Sequence, residues 1–308
     1  MSKTAFIFPG QGSQYVGMGR ELWNAHDEVR RLYRLAGELS GIDIAGVSFD
    51  GPQPELDADV TAQLAVYTCN EAHRLAAEML GLKPDVVTGY SMGFYSALAA
   101  AGALSFEDGL KAVEKAGELA LSENIVRHGT MAAIIGLDLY DVEDLCLDAR
   151  DDGGVWVSNV NAARQILISG SVKDVEGAVS LAQEKGALSA YMLGMGAAYH
   201  SPLMAGAVRL FSEYLAGVEF RRPSVPVLSY IDACYLSEPG EIRDTVARQL
   251  SSKVLWKDAV LRLVKDGVDN FVEVGPGSAL SRMVRWVDRE VKTTSSETLW
   301  VSSQVKQL

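Results

Sequence analysis

A sharp turn with a serine at its apex lies between a short apolar run and a stretch of small residues. Residues 84–88 predict a buried strand, and residues 95–101 predict a helix. Between them the chain reads Gly89-Tyr90-Ser91-Met92-Gly93. Glycine before and after the serine is typical of a strand-to-helix turn too tight for flanking side chains. Such a turn requires a sheet beneath it and a helix behind it, so it predicts α/β architecture and lifts the Ser91 hydroxyl above the sheet.

Strand and helix patterns alternate along the rest of the chain, which also favours an α/β fold. Residues 130–194 have their own order, β-α-β-β-α-β, which is typical of a ferredoxin-like unit. We therefore predict a small ferredoxin-like subdomain, residues 130–194, inserted into a larger subdomain made of residues 1–129 and 195–308. A serine at a strand-to-helix turn is typical of α/β-hydrolase sheets, so we expect the larger subdomain to be α/β-hydrolase-like.

Composition excludes several classes of protein. The formal net charge of −12 makes nucleic acid an improbable partner, because phosphate binding needs concentrated positive charge. An acidic protein partner would need a local basic patch. No apolar run approaches the roughly 20 residues that span a bilayer, so we expect a cytoplasmic protein without membrane contact. Cys69, Cys146 and Cys234 have no metal-site spacing and are expected to be buried thiols, so no metal site is predicted.

A serine hydroxyl needs a base to become a good nucleophile, and the chain has four histidines. His26 and His73 lie in helical patterns among charged residues, where surface positions are expected. His128 precedes a polar turn. His200 lies in a loop of small residues before a helix, where a side chain can be exposed on a fixed backbone. His200 is therefore the candidate base, and the alternative is a helix-capping or core histidine.

Residues 5–8 predict the first strand, and the loop that follows it contains two glycines around Gln11. It lacks both glycine-rich phosphate-binding patterns, so a nucleotide site is unsupported. A loop of this kind can bring a backbone N–H close to a reacting carbonyl. A flexible connector is an equally good interpretation of the loop alone.

Together, these motifs resemble those of the malonyl-CoA:acyl-carrier-protein transacylases and the acyltransferase domains of polyketide synthases. The resemblance follows the family's order along nearly the whole chain. The matching segments are Phe8-Pro9-Gly10-Gln11-Gly12-Ser13-Gln14, Gly89-Tyr90-Ser91-Met92-Gly93, Asn161 with Gln165, His200-Ser201-Pro202-Leu203-Met204 and Glu273-Val274-Gly275-Pro276-Gly277.

The resemblance implies a role for each matching residue. Ser91 would be the nucleophile and His200 its base, and the backbone amides of Gln11 and Met92 would stabilise the oxyanion. The main-chain carbonyl of Gln249 would orient His200, so that no third acidic side chain is needed.

The resemblance also implies the substrates. Gln63 and Asn161 would line the substrate pocket. The substrate would be an acyl-CoA, with no bound cofactor, and the acceptor an acyl carrier protein. The resemblance also favours a monomeric state for this protein. Neither the acyl group nor the choice between fatty-acid and polyketide synthesis follows from the sequence.

The sequence departs from the family pattern where the acyl group binds. Malonyl-using members have an arginine in Val-Glu-x-Arg-Gly that clamps the substrate carboxylate, and Ala116 occupies that position here. Tyr90 and Phe94 replace a histidine and a glutamate beside the turn, and are expected to make the entrance more aromatic. Tyr199 lies in a segment that correlates with acyl choice. These changes predict an uncharged acyl group, unless another cation such as Arg127 compensates.

Two other functions remain open from the sequence. A thioester hydrolase would use the same acyl-serine and release the acyl group to water. A non-catalytic subunit that binds carrier proteins would need neither Ser91 nor His200, and their retention disfavours it. Four basic residues, Arg282, Arg285, Arg289 and Lys292, are predicted on one face of the last helix. They are a candidate contact for an acidic carrier protein, and a solvated helix face is the alternative.

Overall fold

The computed structural model describes residues 2–151 and 153–305. These ranges contain ten strands and fourteen α-helices, with one 3₁₀ turn at Pro202–Met204. The strands are β1 Lys3–Phe8, β2 Val86–Gly89, β3 Gly129–Ile135, β4 Val155–Ala162, β5 Gln165–Ser171, β6 Ser189–Met192, β7 Val227–Leu228, β8 Tyr235–Leu236, β9 Val268–Glu273 and β10 Lys292–Ser295.

The helices connect these strands. They are α1 Arg20–Ala25, α2 Asp27–Ser40, α3 Ile44–Asp50, α4 Gln53–Leu56, α5 Asp59–Met79, α6 Gly93–Ala100, α7 Phe106–Arg127, α8 Leu139–Asp148, α9 Val172–Glu184, α10 Ala205–Leu215, α11 Pro239–Arg248, α12 Trp256–Lys265, α13 Ala279–Val287 and α14 Ser296–Val305. None of these helices, within the described ranges, has both the length and the apolar character that crossing a membrane requires.

The larger sheet has six strands in the order β10-β9-β1-β2-β7-β8, and only the β7–β8 pair is antiparallel. Phe8 at the end of β1 lies opposite Gly89 at the end of β2, and Ile7 lies opposite Glu273 at the end of β9. The loops that follow these three strands therefore leave the same edge of the sheet. In parallel sheets this carboxyl edge is where ligands bind.

The smaller sheet is antiparallel, with strands in the order β4-β5-β3-β6. Along the chain its elements follow the β-α-β-β-α-β order, and α8 and α9 pack against it around a separate apolar core. A backbone bridge between Asn159 of β4 and Val254 joins this sheet to the segment before α12. The bridge attaches the smaller sheet to the segment between α11 and α12.

Several local predictions are wrong. Helical periodicity predicts a single helix over residues 21–39, but the extended backbone of His26 divides this stretch into α1 and α2. His73 is buried rather than at the surface, because α5 is enclosed along most of its length. Its Nδ1 lies 2.9 Å from the hydroxyl of Ser296. Of the three cysteines, Cys234 is exposed.

The predicted basic stripe does not lie on one helix. Helix α13 ends at Val287, so only Arg282 and Arg285 lie on it. Arg289 lies beyond the helix end, and Lys292 begins β10. The helix stops because β10 pairs with β9 and draws the chain back into the larger sheet. All four side chains are exposed.

Candidate active site

The turn around Ser91 has the geometry that its glycines predict. Ser91 has a φ of 53°, in the left-handed region, and lies between β2 and α6. A Cβ added to Gly89 would lie 2.1 Å from the carbonyl carbon of Gly93, and one added to Gly93 would lie 2.1 Å from the Phe8 oxygen. Larger residues at either position would force the turn open. A non-glycine residue held at such a φ costs of order 1–3 kcal/mol, which the surrounding packing must offset.

His200 is the histidine that the fold brings to this turn. Its Nε2 lies 2.8 Å from Ser91 Oγ. Its Nδ1 lies 2.9 Å from two main-chain carbonyl oxygens, those of Gln249 and Ser252. Carbonyl oxygens only accept, so Nδ1 carries the proton and donates it, and Nε2 is left as an acceptor for the serine hydroxyl. This tautomer is the one a general base requires.

Burial keeps His200 uncharged. The side chain is 6% exposed, and desolvation lowers its pKa to about 4, although hydrogen bonds to the Ser252 and Gln249 carbonyls oppose the shift. The imidazole is therefore neutral near pH 7 and available to accept a proton. Gln249 lies at the predicted position and is itself held by a hydrogen bond from the Tyr230 hydroxyl to its Oε1, at 3.0 Å. The second carbonyl, that of Ser252, was not predicted, because none of the matching motifs includes Ser252.

Two backbone N–H groups next to the dyad are available for a developing negative charge. A Cβ at Gly10 would lie 2.5 Å from the Tyr90 oxygen and 3.6 Å from the Met92 nitrogen, so the Gln11 loop packs directly on the turn. In the described residues, neither the Gln11 nor the Met92 N–H has a hydrogen-bond acceptor. Unpaired N–H groups beside a serine–histidine pair are the components of an oxyanion hole.

A cavity of about 340 Å³ adjoins the dyad. Its wall includes apolar side chains from the smaller sheet, from the segment after β6 and from α13, namely Met131, Leu167, Leu193, Met195, Leu280 and Met283. The predicted residues Gln11, Gln63, Tyr90, Met92, Ala116, Asn161, Tyr199 and Gln249 also line it. A larger cavity, of about 560 Å³ and enclosed by residues of α1, α2 and α3, has no serine, cysteine or histidine in its lining. The chemistry therefore belongs to the smaller cavity.

The acyl transferase domain family matches residues 5–304 of the chain. The malonyl CoA-acyl carrier protein transacylase of Bacillus subtilis (strain 168) is 38% identical over 294 residues, which cover 95% of this chain and 93% of that protein. The crystal structure of an acyl-carrier-protein S-malonyltransferase from Burkholderia pseudomallei 1710b superposes with a TM-score of 0.92 at 35% identity, covering 97% of this chain and 99% of the other. The chain belongs to the malonyl-CoA:acyl-carrier-protein transacylase family of acyltransferases.

A malonyl-transacylase solved in complex with a type II polyketide synthase acyl-carrier protein is also similar to this acyltransferase. The TM-score is 0.94 at 29% identity, and the match covers 100% of both chains. The family assignment makes the chain an enzyme, an acyltransferase.

The acyltransferase cavity differs from the sequence prediction at one position. Phe94 is fully buried in the core, with its ring centroid 5.7 Å from that of Tyr230, and it does not line the cavity. The prediction that it shapes the entrance is wrong, because α6 packs against β1 and β2 and encloses the residue after Gly93. Tyr90 does line the cavity. Its hydroxyl accepts from Asn159 Nδ2 at 2.7 Å and donates to Asn161 Oδ1 at 2.8 Å.

The cavity wall contains no lysine, arginine, aspartate or glutamate among the described residues. Ala116 is buried in the wall, at 3% exposure, where the family arginine would lie. Lys115 pairs with Glu118 at 3.2 Å, and Arg127 pairs with Glu123 at 3.1 Å; neither cation lines the cavity. The compensating cation considered from the sequence is therefore not found at Arg127.

Proposed function

We propose that this acyltransferase moves an uncharged acyl group from CoA to the phosphopantetheine thiol of an acyl carrier protein, through an acyl ester on Ser91. The observation that carries the proposal is the cavity wall around Ala116, to which the described residues contribute no lysine or arginine. A carboxylate bound there without a partner would lose its hydration, at a cost of several kcal/mol. An uncharged acyl chain avoids that cost and gains from contact with the leucine and methionine side chains of the cavity.

The first half of the reaction forms the acyl-enzyme. Ser91 Oγ attacks the thioester carbonyl carbon while its proton passes to His200 Nε2. The negative charge that develops on the carbonyl oxygen is stabilised by the N–H groups of Gln11 and Met92. The C–S bond then breaks, and His200 returns the proton to the CoA sulfur. The Gln249 and Ser252 carbonyls stabilise the transient imidazolium through Nδ1–H.

The second half reverses these steps with a different thiol. The carrier thiol gives its proton to His200 Nε2 and attacks the ester carbon, and the same two N–H groups stabilise the oxyanion. The C–O bond to Ser91 then breaks, and Ser91 Oγ takes the proton back from His200. One acyl group moves and no net proton is consumed, so the enzyme needs no cofactor for this sequence.

We also propose the division of the chain that the sequence predicts. Residues 1–129 and 195–308 would form an α/β-hydrolase-like subdomain, and residues 130–194 a ferredoxin-like one. The strand order β4-β5-β3-β6 and the separate apolar core support the smaller unit. The cavity lies between the two units, since Met131 and Leu167 come from one and Ser91 and His200 from the other.

Acyl loading tests the proposed function. The purified enzyme is incubated separately with malonyl-, acetyl-, propionyl- and longer acyl-CoA, and the intact protein is weighed by mass spectrometry. Uncharged acyl groups are expected to give a stable adduct that Ser91→Ala abolishes. Malonyl loading at a rate equal to acetyl loading would contradict the specificity. Acyl-CoA consumption without an accumulated adduct would favour the hydrolase, which also predicts that the acyl-serine decays faster with water than with carrier thiol.

The carrier protein is proposed to dock beside α13. Ala279, Leu280 and Met283 of this helix line the cavity, and Arg282 and Arg285 on the same helix are exposed. An acidic carrier would meet these cations next to a wall of the cavity that its thiol must enter. Arg289 and Lys292 follow in the next segment and extend the basic surface.

A further inference from the structure

A carboxylate lies just behind the cavity wall, at the start of α5. Asp59 Oδ1 accepts hydrogen bonds from the Tyr199 hydroxyl at 2.6 Å and from Gln63 Nε2 at 2.7 Å. Its Oδ2 accepts from the Gly196 N–H at 2.9 Å. Asp59 thus holds two side chains of the cavity wall and the loop that leads to His200. Neither the sequence motifs nor the family resemblance singled it out.

The hydrogen bonds to Asp59 leave the wall without free donors at this place. The Tyr199 hydroxyl has one proton, which it donates to Asp59. The Gln63 amide has two, of which one goes to Asp59 and the other to the Tyr199 oxygen at 3.0 Å. Both side chains line the cavity and are more than nine-tenths buried. A carboxylate entering here would find no donor on Gln63 or Tyr199.

This group of residues adjoins the helix segment that contains Ala116. A Cβ added to Gly117 would lie 3.5 Å from Gln63 Nε2, so α7 passes directly against the Gln63 amide. The negative charge of Asp59 is therefore close to the position of the absent arginine. A second carboxylate brought to that position would be repelled, since like charges in a partly desolvated site interact strongly.

We propose that Asp59 is a specificity-determining positioning residue, which excludes acyl groups ending in a carboxylate by its charge and by engaging the donors of Gln63 and Tyr199. The inference rests on the proposed function, because it explains how the same cavity selects uncharged acyl groups. It also implies that an arginine introduced at position 116 would pair with Asp59 and not with substrate. Both Ala116→Arg and the removal of the Asp59 charge would then be needed to admit a malonyl group.

The test compares the rates at which acetyl-CoA and malonyl-CoA acylate Ser91, measured by intact-protein mass spectrometry at limiting substrate. Asp59→Asn removes the charge and nearly keeps the shape, and Asp59→Ser is a second neutral variant in case the first does not fold. Asp59→Glu keeps the charge. Asp148→Asn, on the exposed end of α8, removes one negative charge from a residue that does not line the cavity and is the matched control.

The neutral variants are expected to raise the malonyl-to-acetyl rate ratio by about tenfold or more, while Asp59→Glu and Asp148→Asn leave it within about twofold. Ala116→Arg combined with Asp59→Asn should raise the ratio further than Ala116→Arg alone. Acetyl loading serves as the measure of a folded site. If the neutral variants slow both substrates in proportion and the ratio stays fixed, Asp59 has only a structural role and the inference is overturned.

Failure of the proposed function gives a different result. Wild-type enzyme that loads malonyl and acetyl groups equally contradicts the uncharged specificity, whatever the variants do. Wild-type enzyme that loads only uncharged groups, with neutral variants that do the same, leaves the function standing and overturns the role of Asp59.

Discussion

Lowering the pH tests directly whether burial sets the basicity of His200. Its pKa of about 4 contrasts with the ordinary histidine value of 6.5, and desolvation is the principal cause. At about pH 5.5 a histidine with the lower pKa is about 97% neutral, whereas one with the ordinary pKa is about 9% neutral. Only the neutral imidazole accepts the Ser91 proton. The rate of acylation at limiting acetyl-CoA should therefore be nearly the same at about pH 7.5 and about pH 5.5. It should fall only at about pH 4.

The assay is single-turnover formation of acyl-Ser91, followed by mass spectrometry at each pH. Near-ultraviolet circular dichroism at the same pH values shows whether the enzyme remains folded, and Ser91→Ala gives the background. A rate that halves near pH 6.5 while the fold is intact would refute the reasoning. It would mean that His200 is solvated in solution, and that the two carbonyls at Nδ1 do not hold it in a buried position.

Three further predictions concern stability, the oxyanion loop and docking. The buried His73, whose pKa burial also lowers to about 4, stays neutral in the folded state while the unfolded chain takes up a proton below about pH 6.5. Stability should therefore fall between about pH 6.5 and pH 4, by about 3 kcal/mol for this residue, and urea unfolding of His73→Gln should show a weaker pH dependence than wild type. Gly10→Ala should slow acylation by about 10- to 100-fold, because its Cβ would meet the Tyr90 oxygen at 2.5 Å and displace the Gln11 amide. Gly240→Ala, whose Cβ meets nothing within 4 Å, is the control, and equal rates for the two variants would contradict the oxyanion role. Reversing the charge of Arg282 and Arg285 together should weaken carrier-protein binding at low salt without changing acylation by acyl-CoA; unchanged carrier affinity would exclude this docking surface.

The local sequence was sufficient where a short segment constrains its own backbone. Gly89 and Gly93 predict the sharp turn because larger residues would collide with atoms a few positions away or in the adjacent strand. The β-α-β-β-α-β order of the smaller sheet was also readable, since each strand and helix there has clear periodicity. Short elements such as α3, α4 and β8 were missed because so few residues carry little periodic signal.

Local sequence patterns predicted the burial of individual side chains less well than they predicted secondary structure. His73 was expected at the surface from its charged neighbours, yet it is 3% exposed, because α5 is enclosed along most of its length. Phe94 was expected at the entrance from its place beside the turn, yet it lies in the core. In both cases the deciding contacts come from residues far away in the chain, Ser296 for His73 and Tyr230 for Phe94.

The sequence by itself determined the α/β class, the serine at the strand-to-helix turn and the histidine that is its candidate base, because these depend on residue type and local geometry. It also determined that Ala116 replaces the arginine, which is a matter of identity alone. Only the tertiary structure decided that no lysine or arginine of the described residues lines the cavity, and that a second carbonyl, of Ser252, contacts His200. It alone also decided that Asp59 engages Gln63 and Tyr199. These features depend on burial and on distances between residues far apart in the chain, and those quantities exist only once the chain has folded.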